Sequence, residues 1–404
     1  MDEPSQVIEV YDQPHQFLPL MPALRVQELL DAARPVAEAS LRLSGKCHPE
    51  TLGKLRELVR SMNSYYSNRL EGQGTHPLNI DQALRKQFSA VPDTALRQRI
   101  AIAHIEAERE LEGLAPPVSK VLGSEFLRVC HGALYGRLSP EDRVSEKGAR
   151  VEPGVWRSAD VTVGRHHPPV HACVAAFLKC ADEQYLRGWG LEALLVATAA
   201  AHHRLAWVHP FIDGNGRAVR LQTHIALHHL SAGLWSVNRA LARKREDYYR
   251  LLAEADLHRQ NDLDGRGNLS ERFLQQWCAW FIEQCGDQVT FMSRMLDLDS
   301  FKAALTALML TRGEAQGRAG YRRELVLPLM HIFATGPVTR GEFTQMTGLS
   351  ERLASSSIRT LLEDGILSSP SPKGKLYLEF PLDALGMLLP NLYPEAAVAP
   401  AVGD

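Results

Sequence analysis

The stretch His209-Pro210-Phe211-Ile212-Asp213-Gly214-Asn215-Gly216-Arg217-Ala218-Val219-Arg220 decides how the rest of the chain is read. Ahead of it, Gly190 to Leu205 reads as an apolar helix rich in Ala and Leu. Behind it, Arg217 to Leu230 reads as a second helix, closed by Gly233 at its C′ position. Pro210, Gly214 and Gly216 forbid a continuous helix between the two, so the join is a tight loop. Gly214 and Gly216 can take positive φ without a Cβ penalty, which lets successive N–H groups converge on one point. That point lies at a helix N-terminus, where unpaired N–H groups and the helix dipole favour an anion. Arg217 and Arg220, three residues apart, share a helix face and can reach two successive phosphates. Asp213 offers a hard oxygen to Mg²⁺, an ion that keeps phosphate oxygens beside it. His209 adds a side chain able to take a proton near neutral pH. The residue types describe a polyphosphate site with a base next to it.

At 404 residues and 45% hydrophobic content the chain can bury more than one core, so two or three domains are expected. A formal charge of −2 leaves no global basic field for nucleic acid. The cysteines Cys47, Cys130, Cys173, Cys180, Cys278 and Cys285 form no CxxC pair, and the spacings 173/180 and 278/285 suit buried thiols on helices. Met1-Asp2-Glu3-Pro4 lacks the basic-then-apolar order of a signal peptide, and no run approaches the ~18 apolar residues of a spanning helix. These features place the protein in a reducing compartment, the cytoplasm, without a membrane partner.

Taken in order, residues 1–20 are polar and Pro-interrupted, an extended N-terminal arm. Residues 21–115 are helical, with one apolar face at Leu24, Val26, Leu29, Leu30 and Ala33 and another at Leu52, Leu55, Leu58, Val59 and Met62. Within them Ser67-Asn68-Arg69-Leu70-Glu71-Gly72 reads, alone, as a plain helix C-terminus. The run Gly154 to Gly164, followed by His166-His167-Pro168-Pro169, holds two short β-prone pieces around a polar turn, a small hairpin. His202 and His203 lack a carboxylate or Cys to complete a metal site and read as core or helix-surface residues. Asp262 to Gly267 superficially resembles a calcium loop, but Arg266 fills a ligand place and Phe273 stands where the bidentate Glu is needed. It is a turn between helices.

Residues 116–290 hold the 209–220 loop and its flanking helices and 291–320 make a helical linker; from Tyr321 the texture changes. Three helices are followed by a strand–turn–strand piece from Ile366 to Phe380, so 321–389 reads as a winged helix-turn-helix domain. Its third helix, the one in the recognition position, carries Arg352 and Arg359 against Glu351, Glu363 and Asp364, with Lys373 and Lys375 on the wing. Those charges make a weak case for DNA, and docking of a protein or a homodimer partner suits them equally. Residues 390–404, rich in Ala, Pro and Val, read as a disordered tail.

With every defining position present, the 209–220 stretch resembles the Fic (Fic/Doc) family signature H-x-F-x-[D/E]-G-N-G-R-x-x-R. The resemblance runs over residues 20 to 285, and it implies a mainly α fold: a Fic-like helical bundle carrying a β-hairpin flap, here with the winged domain appended. The activity it implies is AMPylation, the transfer of AMP from Mg·ATP to a Ser, Thr or Tyr hydroxyl of a protein, the chain itself included. His209 would take the hydroxyl proton, Asp213 would hold Mg²⁺, Gly214, Asn215 and Gly216 would form the anion hole, and Arg217 and Arg220 would hold the outer phosphates.

Ser67 to Gly72 resembles the family's inhibitory motif [S/T]-x-x-x-E-[G/N], which pairs Glu71 with Arg220 in the place of the γ-phosphate. The hairpin resembles the family's flap, making Trp156, Val161 and Val163 candidates for target contact. Tyr248 and Tyr249 match an aromatic pair that relatives hold near the nucleoside. Asp256 stands where those relatives offer an Asn. Removal of AMP on the same site, or a nucleotide-sensing DNA-binding regulator, are the rival readings; Gly216 argues against the kinase branch that resembles Doc.

Overall fold

The computed structural model describes residues 10–145, 147–164 and 166–397. The helix behind the loop, Asn215–Ser231, runs through the middle of a helical bundle. It touches Leu191–Val208, Ser124–Tyr135, Val26–Leu43, Pro92–Leu114 and Pro49–Leu70. A helix enclosed in this way has almost no solvent face before His228, so its polar side chains must find partners inside. Gln222 donates to the carbonyls of Val121 at 3.0 Å and Gly123 at 2.9 Å. Thr223 meets His202 at 2.8 Å. The helix ahead of the loop, Leu191–Val208, is apolar on nearly every side because it packs on Val26–Leu43 and Glu271–Met295 as well. Trp277 ties those layers together by donating its indole N–H to the Ala199 carbonyl at 2.7 Å.

Where residues 10–20 were expected to extend freely, they pack: Phe17 is fully buried, edge-on to Phe177 at 5.0 Å and stacked on Trp207 at 5.7 Å. The apolar side chains Tyr11, Phe17 and Leu20 are what the polar residues around them concealed. Residues 1–9 of that arm lie outside the described residues. The hairpin expected at 154–164 is also corrected. No ladder forms there, and the strand contact is a single bridge between Val163 and His166. Its backbone is held instead by the side chain of Arg157, which donates to the carbonyls of Ala159 at 3.1 Å and of Pro169.

In the C-terminal third, helices Val326–Thr335, Arg340–Thr347 and Glu351–Glu363 precede an antiparallel pair, Leu367–Ser368 with Tyr377–Leu378. Thr339 and Glu342 form a reciprocal capping box on the second of these helices. The Leu298–Leu310 helix packs on Val326–Thr335 and Leu382–Leu388, so it joins this bundle instead of spanning to it. The bundle rests on the Pro49–Leu70 helix, with Lys54 paired to Glu379 at 2.5 Å.

The end of the chain departs from a disordered tail as far as residue 397. Leu392 and Tyr393 are buried, and Tyr393 lies edge-on to Tyr65 at 5.2 Å. Glu395 accepts from Tyr66 at 2.9 Å and pairs with Arg69 at 2.7 Å. Residues 398–404 lie outside the described residues. Among the described residues, no helix is long and apolar enough to cross a membrane.

Candidate active site

The loop between the two central helices is built by its own sequence. Leu191–Val208 stops because His209 turns left-handed at φ 49°, and Gly214 turns left-handed at φ 75° to start the next helix. Gly214 has a second reason to be glycine, since a Cβ there would overlap the Tyr135 ring. Asn215 staples the loop shut. Its Oδ1 accepts from the Phe211 N–H at 2.8 Å and its Nδ2 donates to the Phe211 carbonyl at 2.9 Å. The side-chain amide of Asn215 therefore shapes the loop, leaving its backbone to any anion. Gly216 lies in the first helical turn with no positive φ. It needs glycine for space: a Cβ at this position would overlap the Glu71 carboxylate.

Arg217 and Arg220 are both buried at the N-terminal end of this helix. Arg217 donates to Gln73 and to the Tyr135 hydroxyl, each at 2.7 Å. Its Nε has no hydrogen-bond partner among the described residues. Arg220 donates to Ser67 Oγ at 3.0 Å and to the Ser67 carbonyl at 3.1 Å, and forms an ion pair with Glu71 Oε1. Glu71 caps the Pro49–Leu70 helix, and Gly72 at φ 72° turns the chain away behind it. Burial raises the Glu71 carboxyl, but the guanidinium groups of Arg220 and then Arg217 outweigh it and hold the group below the usual range. Asp213, half-buried, accepts the Gly214 N–H through Oδ1 at 2.5 Å. A lone carboxylate beside an anion site suits Mg²⁺, which takes one or two protein oxygens and completes its shell with phosphate and water.

His209 is half-buried, with its carbonyl held by Arg157 Nε at 2.8 Å. Burial, then the charges of His166 and Arg157, push its imidazole down to about 3. The ring is thus neutral, the form that accepts a proton. His202, wholly buried between Thr223 and the Tyr248 hydroxyl, is likewise pushed down to about 3 by burial. Once unfolded, both rings protonate near 6.5, so below that pH the unfolded chain binds more protons than the folded one. Their contribution to stability is full above pH 6.5 and is lost as pH falls from there towards 3. The expected result is a melting temperature that drops from pH 7 to pH 5, with a shallower drop in His202→Gln. An identical drop in both proteins would reject this assignment.

The remaining expected residues are placed as follows. Tyr248 is buried beside Arg220, its hydroxyl 3.1 Å from His202 Nε2. Tyr249 is 41% exposed, and its hydroxyl donates to the Leu70 carbonyl at 2.8 Å, one residue before Glu71. Trp156 tilts against Phe211 at 4.7 Å, whereas Val161 is half-buried and Val163 exposed. His203 meets Asp256 at 3.0 Å, so Asp256 is engaged with the core.

Four contributors escape motif reading: Arg157, His131, Tyr135 and Gln73. His131 stacks flat on Phe211 at 3.8 Å. Its Nδ1 accepts from Gly154 N–H at 2.9 Å, which leaves Nε2 to donate to the Asp213 carbonyl at 3.1 Å. One imidazole thereby joins the 154–164 segment to the loop.

Comparison with known proteins follows the same residues. The Fic/DOC family matches residues 122–227. The protein adenylyltransferase Fic of Nematostella vectensis is 27% identical over 195 residues, covering 48% of this chain and 42% of that protein. That of Drosophila grimshawi is 34% identical over 108 residues, covering 26% of this chain and 22% of its own length. The chain thus spans less than half the length of these curated relatives. A crystal structure of a Fic family protein from Desulfovibrio desulfuricans G20 is similar in fold, with a TM-score of 0.50 and 17% identity over 91% of this chain and 98% of that one. Residues 122–227, which hold the glycine-rich loop and the helix it opens, match the Fic/DOC family.

Proposed function

We propose that this chain is a protein adenylyltransferase, moving AMP from Mg·ATP to a hydroxyl side chain of a protein and held in check by Glu71. The observation that carries the reading is one convergence. A neutral His209, a helix N-terminus at Gly214 to Gly216 and two buried arginines face one region, and Glu71 is bonded to the arginine that a γ-phosphate would claim.

In the reaction, the target hydroxyl oxygen attacks the α-phosphorus while His209 takes its proton. The new O–P bond forms as the bond from the α-phosphorus to the α,β-bridging oxygen breaks, and pyrophosphate leaves with that electron pair. Such a transfer asks the protein mainly for in-line positioning and charge neutralisation. Arg217 and Arg220 would neutralise the outer phosphates, and the N–H groups of the first helical turn would hold the phosphate nearest the loop. Asp213 would hold Mg²⁺, which draws charge off the phosphate oxygens. Trp156, Val161 and Val163 would meet the target segment by backbone pairing along 154–164.

The test is incubation with ATP labelled on the α-phosphate, Mg²⁺ and cell lysate. Label on protein, absent when ATP is labelled only on the γ-phosphate, is the expected result. Transfer of γ-label instead would assign phosphorylation and overturn the proposal.

A further inference from the structure

Beneath the anion site, one turn beyond Arg220, His224 points at two carboxylates of the Pro92–Leu114 helix. Its Nε2 lies 3.3 Å from Glu108 Oε1 and 3.2 Å from Glu112 Oε1. The three donor atoms all lie within 4.8 Å of one another. A tetrahedral ion with bonds of about 2.0–2.2 Å spaces its donors about 3.3–3.6 Å apart, so both measured separations are close to edges of such a tetrahedron.

Each carboxylate is anchored by its other oxygen. Glu108 Oε2 accepts from Asn63 Nδ2 at 2.6 Å, and Asn63 is itself fixed by Ser236 at 2.6 Å and Asn238 at 2.7 Å. Glu112 Oε2 accepts from Arg60 at 2.5 and 3.0 Å. In both cases the Oε1 atom is the one turned to His224, the arrangement in which outer partners orient metal-ligating carboxylates.

A second observation points to a ligand. Glu108 and His104 are 0% exposed, and neither Glu108 Oε1 nor either ring nitrogen of His104 has a hydrogen-bond partner among the described residues. His104 precedes Glu108 by one helical turn, with Nδ1 3.9 Å from Glu108 Oε2. Among the described residues, nothing beyond the His224 ring meets Glu108 Oε1; a buried carboxylate oxygen so placed is costly, and a cation bound to it removes that cost.

We propose that Glu108, Glu112 and His224 form a binding site for one divalent transition-metal ion, with Zn²⁺ the ion their donor set fits best. Two carboxylate oxygens and one imidazole nitrogen supply three positions, and the fourth falls to water. The site is distinct from Asp213, lying on the far side of Arg220 along the same helix and drawing on residues of another. It joins three layers, because Arg60 and Asn63 belong to the Pro49–Leu70 helix that ends at Glu71.

The full chain would be stripped with a chelator and titrated with Zn²⁺ against a chromogenic competitor, in excess Mg²⁺ to occupy hard-oxygen sites. The expected outcome is about one tight equivalent. Affinity is expected to fall at least about tenfold in Glu108→Gln and in His224→Asn. It is expected to persist in Cys173→Ser and Cys180→Ser, the two thiols that are only half-buried. No tight equivalent in the unaltered chain, or one unchanged in both cluster variants, would overturn the proposal. So would loss of the equivalent with the cysteines. Should a cluster variant fail to fold, the Co²⁺ spectrum of the unaltered chain decides. Weak ligand-field bands alone support a nitrogen and oxygen site, and intense thiolate charge-transfer bands refute it.

Discussion

Replacing His209 with Ala is expected to lower AMP transfer by on the order of 10²–10⁴, the contribution of a positioned general base. The effect belongs to the chemical step. His209 lies at the left-handed end of a helix, where Arg157 holds its backbone and not its ring. Truncation therefore removes the proton acceptor and leaves the loop staple at Asn215 in place. ATP affinity, carried by Arg217, Arg220 and the helix N-terminus, is expected to stay within about threefold. Single-turnover labelling beside an equilibrium nucleotide titration separates the two quantities. A drop in transfer smaller than about threefold would remove His209 from the base's role.

Glu71→Gly is expected to act in the opposite direction, raising transfer by on the order of 5–150-fold, the range of an ordinary coupling free energy between competing ligands. The competition is direct. Arg220 is 1% exposed and already carries Ser67 and Glu71, so a phosphate oxygen at its guanidinium would compete with the carboxylate. At Gly216 the same carboxylate fills the space that the missing Cβ leaves. The gain must depend on Arg220. In an Arg220→Ala background the Glu71 substitution is expected to change little, a non-additivity that a double-mutant cycle reads out. Equal activation in both backgrounds would mean that Glu71 acts through some other contact.

The loop, its two flanking helices and the location of Glu71 at a helix end are legible in the sequence because each is a local matter. Pro and Gly set the breaks, and helical periodicity sets the faces. The other wall of the site is not local. Arg157, His131 and Tyr135 come from segments about 50 to 80 residues upstream of the loop and act through a carbonyl, a ring face and a hydroxyl, contacts that leave no spacing in the sequence. Segment 154–164 misled for a related reason. Its β-prone residues are real, but they pair only through the bridge of Val163 to His166, and Arg157 takes the Ala159 carbonyl. At the two ends, polar and Pro-interrupted surroundings hid single large rings. Phe17 and Tyr393 each bury enough surface to order a short segment.

The contact of Glu395 with Tyr66 and Arg69 brings the last described residues onto the helix that carries Ser67 and ends at Glu71. A residue 326 positions beyond Arg69 thus clasps the helix that ends at Glu71. On the ribosome, the amino-terminal helix and the arginines it meets would emerge long before their carboxy-terminal clasp. The nascent chain would thus pass through a period in which the Glu71–Arg220 pair can form before Glu395 fastens the helix that carries Glu71.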